Sequence, residues 1–328
     1  MEGIGLVLAG GGGKGAYHIG VWKALKEFGA DENITAVSGT SVGALNGVLF
    51  SQGNYKIAED VWLNITKENI LKLDVGEIKD QVLSGLSGFS TGQSLKMALP
   101  MTAYLASHYK SSIFSREGLL EIIDESINLE YVATNGIPCF ATCLEVPVLN
   151  KKAFNIQGMT PNRIKSILLA TSALPVIFQK IIIDGVSYID GGIPVFGDNV
   201  PVKPLYDLGY KVILVAHLSR ESILDTNAFP GAKIIQIVPR EHQGELLDGT
   251  LDFTKEGAKR RIQQGYEDTI KILKPLYDMG MVQGQMYQQL NKMVKDEYIF
   301  EEKRQHCLEE RENLKNQLNH IGFKLKGK

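Results

Sequence analysis

At 328 residues the chain can bury a large core, either as one big α/β domain or as two modest ones. Hydrophobic residues make up 44 % and charged residues 22 %, the composition of an ordinary globular protein. Thirty-five Lys and Arg against 37 Asp and Glu give a formal net charge of -2, which excludes a global positive field toward nucleic acid or anionic lipid, so any membrane contact must be local.

The first apolar run, residues 3–9, reads as a strand. It has no basic leader or small-residue cleavage site before it and flows directly into a glycine loop, unlike a signal peptide. Residues 15–28 read as a helix, 34–38 as a strand and 42–50 as a second helix, the alternation of a parallel α/β sheet. Between 69 and 114 the alternation fades into a stretch rich in Leu, Met, Gly and Ser, with an apolar part at 95–105. An insertion of this kind suits a lid over a pocket. Residues 138–146 read as a strand carrying Cys139 and Cys143. At ~3.3 Å per residue these two cysteines stand about 13 Å apart, too far to bridge or to share a metal. Three cysteines in all suit a reducing compartment.

Thr160 and Pro161 supply a helix start, with Ile164, Ile167 and Leu168 on the buried face and a stop before Pro175. Strands follow at 180–184, 186–190, 211–217 and 233–238; the last two are nearly continuous β-branched runs suited to a covered parallel sheet with helices on both faces. From 252 the pattern turns helical and charged, and 297–319 is dominated by Glu, Arg, Lys and Gln, as expected of a solvated helical cover. No stretch reaches the roughly 18 apolar residues of a membrane span, and the chain reads as a soluble, cytoplasmic protein. The domain expectation is a catalytic unit over 1–250, with 69–114 inserted, and a helical extension over 251–328.

Gly39-Thr40-Ser41-Val42-Gly43 fits the nucleophile elbow G-x-S-x-G, and it lies between a predicted strand and a predicted helix as that motif requires. Small neighbours let the backbone turn sharply, and the helix behind Ser41 aims its positive end at the reaction centre. Gly10, Gly11, Gly12, Gly13, Lys14 and Gly15 follow the first strand and open a helix, so their N–H groups can converge on one anionic oxygen. Gly10, Gly12 and Gly15 also satisfy a dinucleotide fingerprint, but Asp31 and Glu32 precede the second strand instead of ending it. A Walker A loop fails because Leu8 takes its first glycine position.

A serine nucleophile needs a base. His18 falls in the first helix, His242 in a loop, and His108, His306 and His320 in peripheral helices. Only His217 sits at a strand end. Asp190 also ends a strand, and the turn Gly191-Gly192 after it lets a short carboxylate approach the elbow. Taken alone, such a turn is structural more often than catalytic. The usual metal-ligand spacings are missing.

Together these motifs resemble the patatin-like phospholipase family, in the family's order, from Ile4 to Asp198. Its motif G-G-G-x-[KR]-G corresponds to Gly10 to Gly15, its nucleophile motif to Gly39 through Gly43, and its D-G-[AG] motif to Asp190, Gly191 and Gly192. Its block A-S-x-A-x-P corresponds to Ala170 through Pro175, with Thr171 in place of serine. The resemblance implies a three-layer α/β/α sandwich with a mostly parallel central sheet. It also implies a Ser41-Asp190 dyad without histidine, an oxyanion hole at Gly11, Gly12 and Gly13, and no cofactor or metal. The substrates it implies are lipid acyl esters of the phospholipase A or lysophospholipase type, reached by transient contact with a membrane surface and without nucleic acid. Lys14 stands where it could attract a lipid phosphate or remain a solvated charge. A small-ester or thioester hydrolase on the same site, a nucleotide-binding enzyme and a silent lipid-binding scaffold are the competing expectations.

Overall fold

The computed structural model describes residues 3–66, 70, 116–175 and 177–320. Apart from Ile70, the insertion at 69–114 and its apolar part at 95–105 lie outside the described residues, as does His108. The described strands are β1 (Ile4–Leu8), β2 (Ile34–Thr40), β3 (Cys139–Val146), β4 (Asn150–Asn155), β5 (Ile181–Ile183), β6 (Val186–Asp190), β7 (Val212–Ala216) and β8 (Lys233–Ile237). They form one eight-stranded sheet in the order β5-β6-β3-β2-β1-β7-β8, with β4 also on β3. The four pairings between β3, β2, β1, β7 and β8 are parallel, and those of β4, β5 and β6 are antiparallel.

Strand side chains alternate between faces, so each central strand divides its apolar residues between two cores. Leu6, Leu8, Leu214 and Ala216 enter the larger core, and Val7, Ile213 and Val215 the smaller. Over the larger core lie α1 (Ala16–Glu27), α2 (Val42–Gln52), α3 (Tyr55–Asn64), α4 (Glu117–Ser126), α5 (Leu129–Thr134) and α6 (Pro161–Thr171). The smaller core is closed by α7 (Lys203–Asp207), whose Leu205 is fully buried, and by the chain around Phe229. Helical cover is therefore present on both faces but very unequal. Thr160 stands at the N-cap of α6 without a side-chain capping bond, so the start of that helix rests on Pro161.

The last helix, α8, runs Lys255–His320. The chain has two compact units, Met1–Leu273 and Lys274–Lys328, which divide inside this helix. In the first unit Ala258, Arg261, Ile262 and Thr269 are buried, and Gly265 packs against the backbone of Tyr17. No helix among the described residues is long and apolar enough to cross a membrane.

Candidate active site

Sheet topology brings the two candidate residues together. Along one edge β3 pairs with β4 over Phe140 to Glu145, so β2 and β6 must share its other edge. There β2 runs parallel to β3 and ends with Thr40 opposite Thr142, while β6 runs antiparallel and ends with Asp190 opposite Cys143. The two strands meet head to head. The residue that leaves β2, Ser41, therefore faces the residue that ends β6.

Ser41 has φ 54° and ψ -127°, a left-handed turn that a non-glycine residue adopts only when its surroundings enforce it. The enforcement is visible. A Cβ on Gly39 would collide with the backbone of Gly43, and one on Gly43 with the carbonyl of Leu8, so strand and helix close on each other only through glycine. The Ser41 N–H donates to Thr171 Oγ1 at 2.9 Å, and the Thr171 hydroxyl donates to the carbonyl of Thr142 at 2.5 Å. Threonine keeps the hydroxyl of the serine it replaces in the family block, and that hydroxyl anchors the elbow.

Asp190 is buried, and its Oδ1 accepts from the Gly192 N–H at 2.7 Å. Burial pushes its carboxyl up to about 6; hydrogen bonds from the Ser41 side chain and from Gly192 oppose that rise. The neighbouring segment ties the site together. The Thr40 hydroxyl donates to the Asp198 carbonyl at 2.7 Å, and the Asp198 N–H donates to the Gly191 carbonyl at 2.7 Å. Asn199 accepts from the Gly10 N–H through its carbonyl at 3.1 Å and donates to the Gly10 carbonyl through Nδ2 at 3.2 Å. Elbow, glycine loop and aspartate turn are thus bound to residues 198 and 199, to which no sequence motif assigned a role.

Gly10, Gly11 and Gly12 line a cavity of about 900 Å³ together with Ser41, Asp190 and Lys14; Gly13 is buried behind the wall, against the backbone of Asp252. Most of the remaining lining is apolar, including Leu45, Trp62, Ile123, Phe178 and Phe253. Gly12 has φ 55° and packs against the carbonyl of Thr250. The chain over the glycine loop is held by Arg261, a second residue that sequence reasoning did not single out. Its fully buried guanidinium pairs with Asp252 at 2.9 Å and donates to the carbonyls of Asp248 at 2.9 Å and Gln243 at 3.3 Å. Lys14 has no ion pair among the described residues, and burial lowers its pKa.

The described histidines of the first unit are engaged in other contacts. Burial lowers His18 to about 3, and its ring contacts the Ala216 carbonyl and Asn46. His217 is bonded through both ring nitrogens, to Ser222 and Gln236, each at 2.9 Å. His242 pairs with Glu245, and His306 and His320 lie exposed on α8. Among the described residues no group of three or more His, Cys, Asp or Glu is placed to hold a metal ion.

Lysophospholipase NTE1 of Cryptococcus neoformans var. neoformans serotype D is 26 % identical over 224 residues, 68 % of this chain and 12 % of that protein. Neuropathy target esterase sws of Drosophila persimilis is 55 % identical over 47 residues, 14 % of this chain and 3 % of that protein. The chain therefore spans only a small fraction of the curated relatives it matches. Among solved structures, VipD from Legionella pneumophila aligns with a TM-score of 0.45 and 17 % identity, covering 84 % of this chain and 67 % of that one. The family model described as patatin-like phospholipase matches residues 6–206, well over half of the sequence, and the chain belongs to that family of lipid ester hydrolases.

Proposed function

We propose that this protein hydrolyses acyl esters of lipids, in the manner of a phospholipase A or lysophospholipase, through a Ser41-Asp190 dyad. Asp190 accepts the proton of the Ser41 hydroxyl as Oγ attacks the ester carbonyl. N–H groups of Gly11 and Gly12, on the cavity wall beside Ser41, receive the oxyanion, with Gly13 supporting the loop from behind. The leaving alcohol takes the proton from Asp190 as the tetrahedral intermediate collapses to the acyl-enzyme. Asp190 then deprotonates a water that attacks the acyl carbonyl, and the carboxylic acid departs with Ser41 reprotonated.

The head-to-head meeting of β2 and β6 carries this reading, because it sets a strained serine against a buried carboxylate on the wall of an apolar cavity. A free aspartate is a poor base at neutral pH. One raised to about 6 is a better proton acceptor and is still largely ionised at pH 7. The apolar lining suits an acyl chain, and Lys14, without an ion pair among the described residues, suits a headgroup phosphate. Three free thiols, two of them buried, suit action in the cytoplasm, with transient contact at a membrane surface.

The test is hydrolysis of p-nitrophenyl butyrate, a phospholipid and a lysophospholipid by the wild type and by Ser41→Ala, with folding checked for both. The expected loss on every cleaved substrate is on the order of 10³-fold or more. Equal rates in the two proteins would remove Ser41 from the mechanism. Cleavage of the short ester alone would restrict the reading to small esters.

A further inference from the structure

The second compact unit presents an apolar row with an unusual period. Met279, Met286, Met293, Phe300, Cys307 and Leu314 recur at every seventh position of α8, and all six are exposed. Seven residues of a straight helix fall about 20° short of two full turns, so over five repeats the row drifts by about 100° around the axis. A flat surface such as a bilayer cannot follow that drift. A second helix can, by supercoiling with the row as a core seam.

Charge then selects the partner and its direction. Leu276, Gln283, Leu290, Glu297, Arg304, Arg311 and Leu318 form the companion seam, four residues after each position of a row that starts at Ile272. In a parallel, in-register pair, Glu297, Arg304 and Arg311 would each face their own copies, and Asp296 would flank Glu301. Every one of those encounters is repulsive. In an antiparallel pair, each companion residue packs against a row residue of the other chain. With Leu290 set beside Cys307 of a second copy, Glu297 meets Phe300 and Arg304 meets Met293. Asp296 then lies beside Lys303, twice by symmetry, on one flank, and Tyr287 lies beside Leu308 on the other. Sliding the register by one heptad sets Lys303 against Lys303 and Glu301 against Glu301. Asp296 and Lys303 make no ion pair among the described residues. The stretch 274–320 rises about 70 Å, and a seam of that length and roughly 11 Å width is of the order of the 800 Å² per chain of a specific interface.

We infer that residues 274–320 form a self-complementary antiparallel coiled coil that joins two copies of this chain, with Leu290 of one copy packed on Cys307 of the other. Sedimentation velocity of the full chain over a micromolar concentration series is expected to show a dimer, and Phe300→Glu a monomer of unchanged helicity. Asp296→Lys should raise the dimer dissociation constant about tenfold, and the double variant Asp296→Lys/Lys303→Asp should restore it. Leu290→Cys should cross-link with the native Cys307 on mild oxidation, whereas the wild type should not. A wild type that stays monomeric, a dimer that survives Phe300→Glu, or a Cys307-to-Cys307 cross-link in the wild type would each overturn the proposal. Tighter association of Asp296→Lys, or no change, would overturn the antiparallel register.

Discussion

The two parts of α8 place opposite demands on the same secondary structure. From Lys255 to Leu273 the helix is part of the catalytic unit: Arg261 and Thr269 are fully buried, and Gly265 lies where a side chain would strike the Tyr17 carbonyl. From Lys274 onward the surface is exposed, and Gly280 and Gly284 have nothing within reach of an added Cβ. Glycine in the first part is therefore required by packing, whereas in the second part it only lowers helix propensity. Alanine at the two kinds of site separates them. Gly265→Ala should destabilise the protein by about 3 kcal/mol, since the obstacle is backbone and cannot rotate away. Gly284→Ala, off the apolar row, should stabilise it by about 0.5–1 kcal/mol. Urea unfolding reads both; shifts of the same sign would erase the distinction.

Packing is one source of constraint in the catalytic unit, and chemistry is another, pulling against stability. The Asp190 carboxyl is raised from 3.8 to about 6 by burial, so the native state holds its proton more tightly than the unfolded chain does. Its contribution to stability is complete below pH 3.8 and is lost as pH rises through about 6, a loss of up to about 3 kcal/mol at neutral pH. Asp190→Asn should consequently raise the melting temperature at pH 7.5 while abolishing turnover, and the gain should vanish near pH 4. In the wild type, turnover should fall as pH drops through about 6, where the base becomes protonated. A neutral-pH melting temperature unchanged by the substitution would mean that the carboxylate is not held at a disadvantage.

Much of the first unit was legible in the sequence, for reasons that particular residues make clear. The β-branched runs of β7 and β8 and the glycines of the elbow are local signals, because period and steric need are set by neighbours in the chain. Ser41 and Asp190 stood out because each follows or ends such a strand. Strand β4 did not, since Asn150, Lys151 and Lys152 are exposed and owe their extended form to pairing with β3. Asn199 and Arg261 were equally silent: one bridges to Gly10 and the other holds Asp248 and Asp252 over the glycine loop, through contacts that exist only after folding. The sevenfold row of α8 was present in the sequence, but composition dominated by Glu, Arg, Lys and Gln pointed to a solvated surface and masked it.

Thr171 lies between these cases: its motif was visible and its task was not. Its hydroxyl accepts from the Ser41 N–H and donates to the Thr142 carbonyl, so it links the strained nucleophile to the strand that both β2 and β6 abut. Thr171→Val is nearly isosteric and keeps the packing, but it removes both bonds and leaves a buried donor and acceptor without their partner. That should cost about 1–3 kcal/mol, divided between stability and the energy of holding Ser41 at positive φ. The expected signature is a fall in kcat of roughly tenfold with little change in KM, because Thr171 acts on the position of the nucleophile and touches no substrate. Thr171→Ser keeps the hydroxyl and should retain most of the activity. A serine variant as impaired as the valine variant would show that the methyl group, and not the hydroxyl, is what the elbow requires.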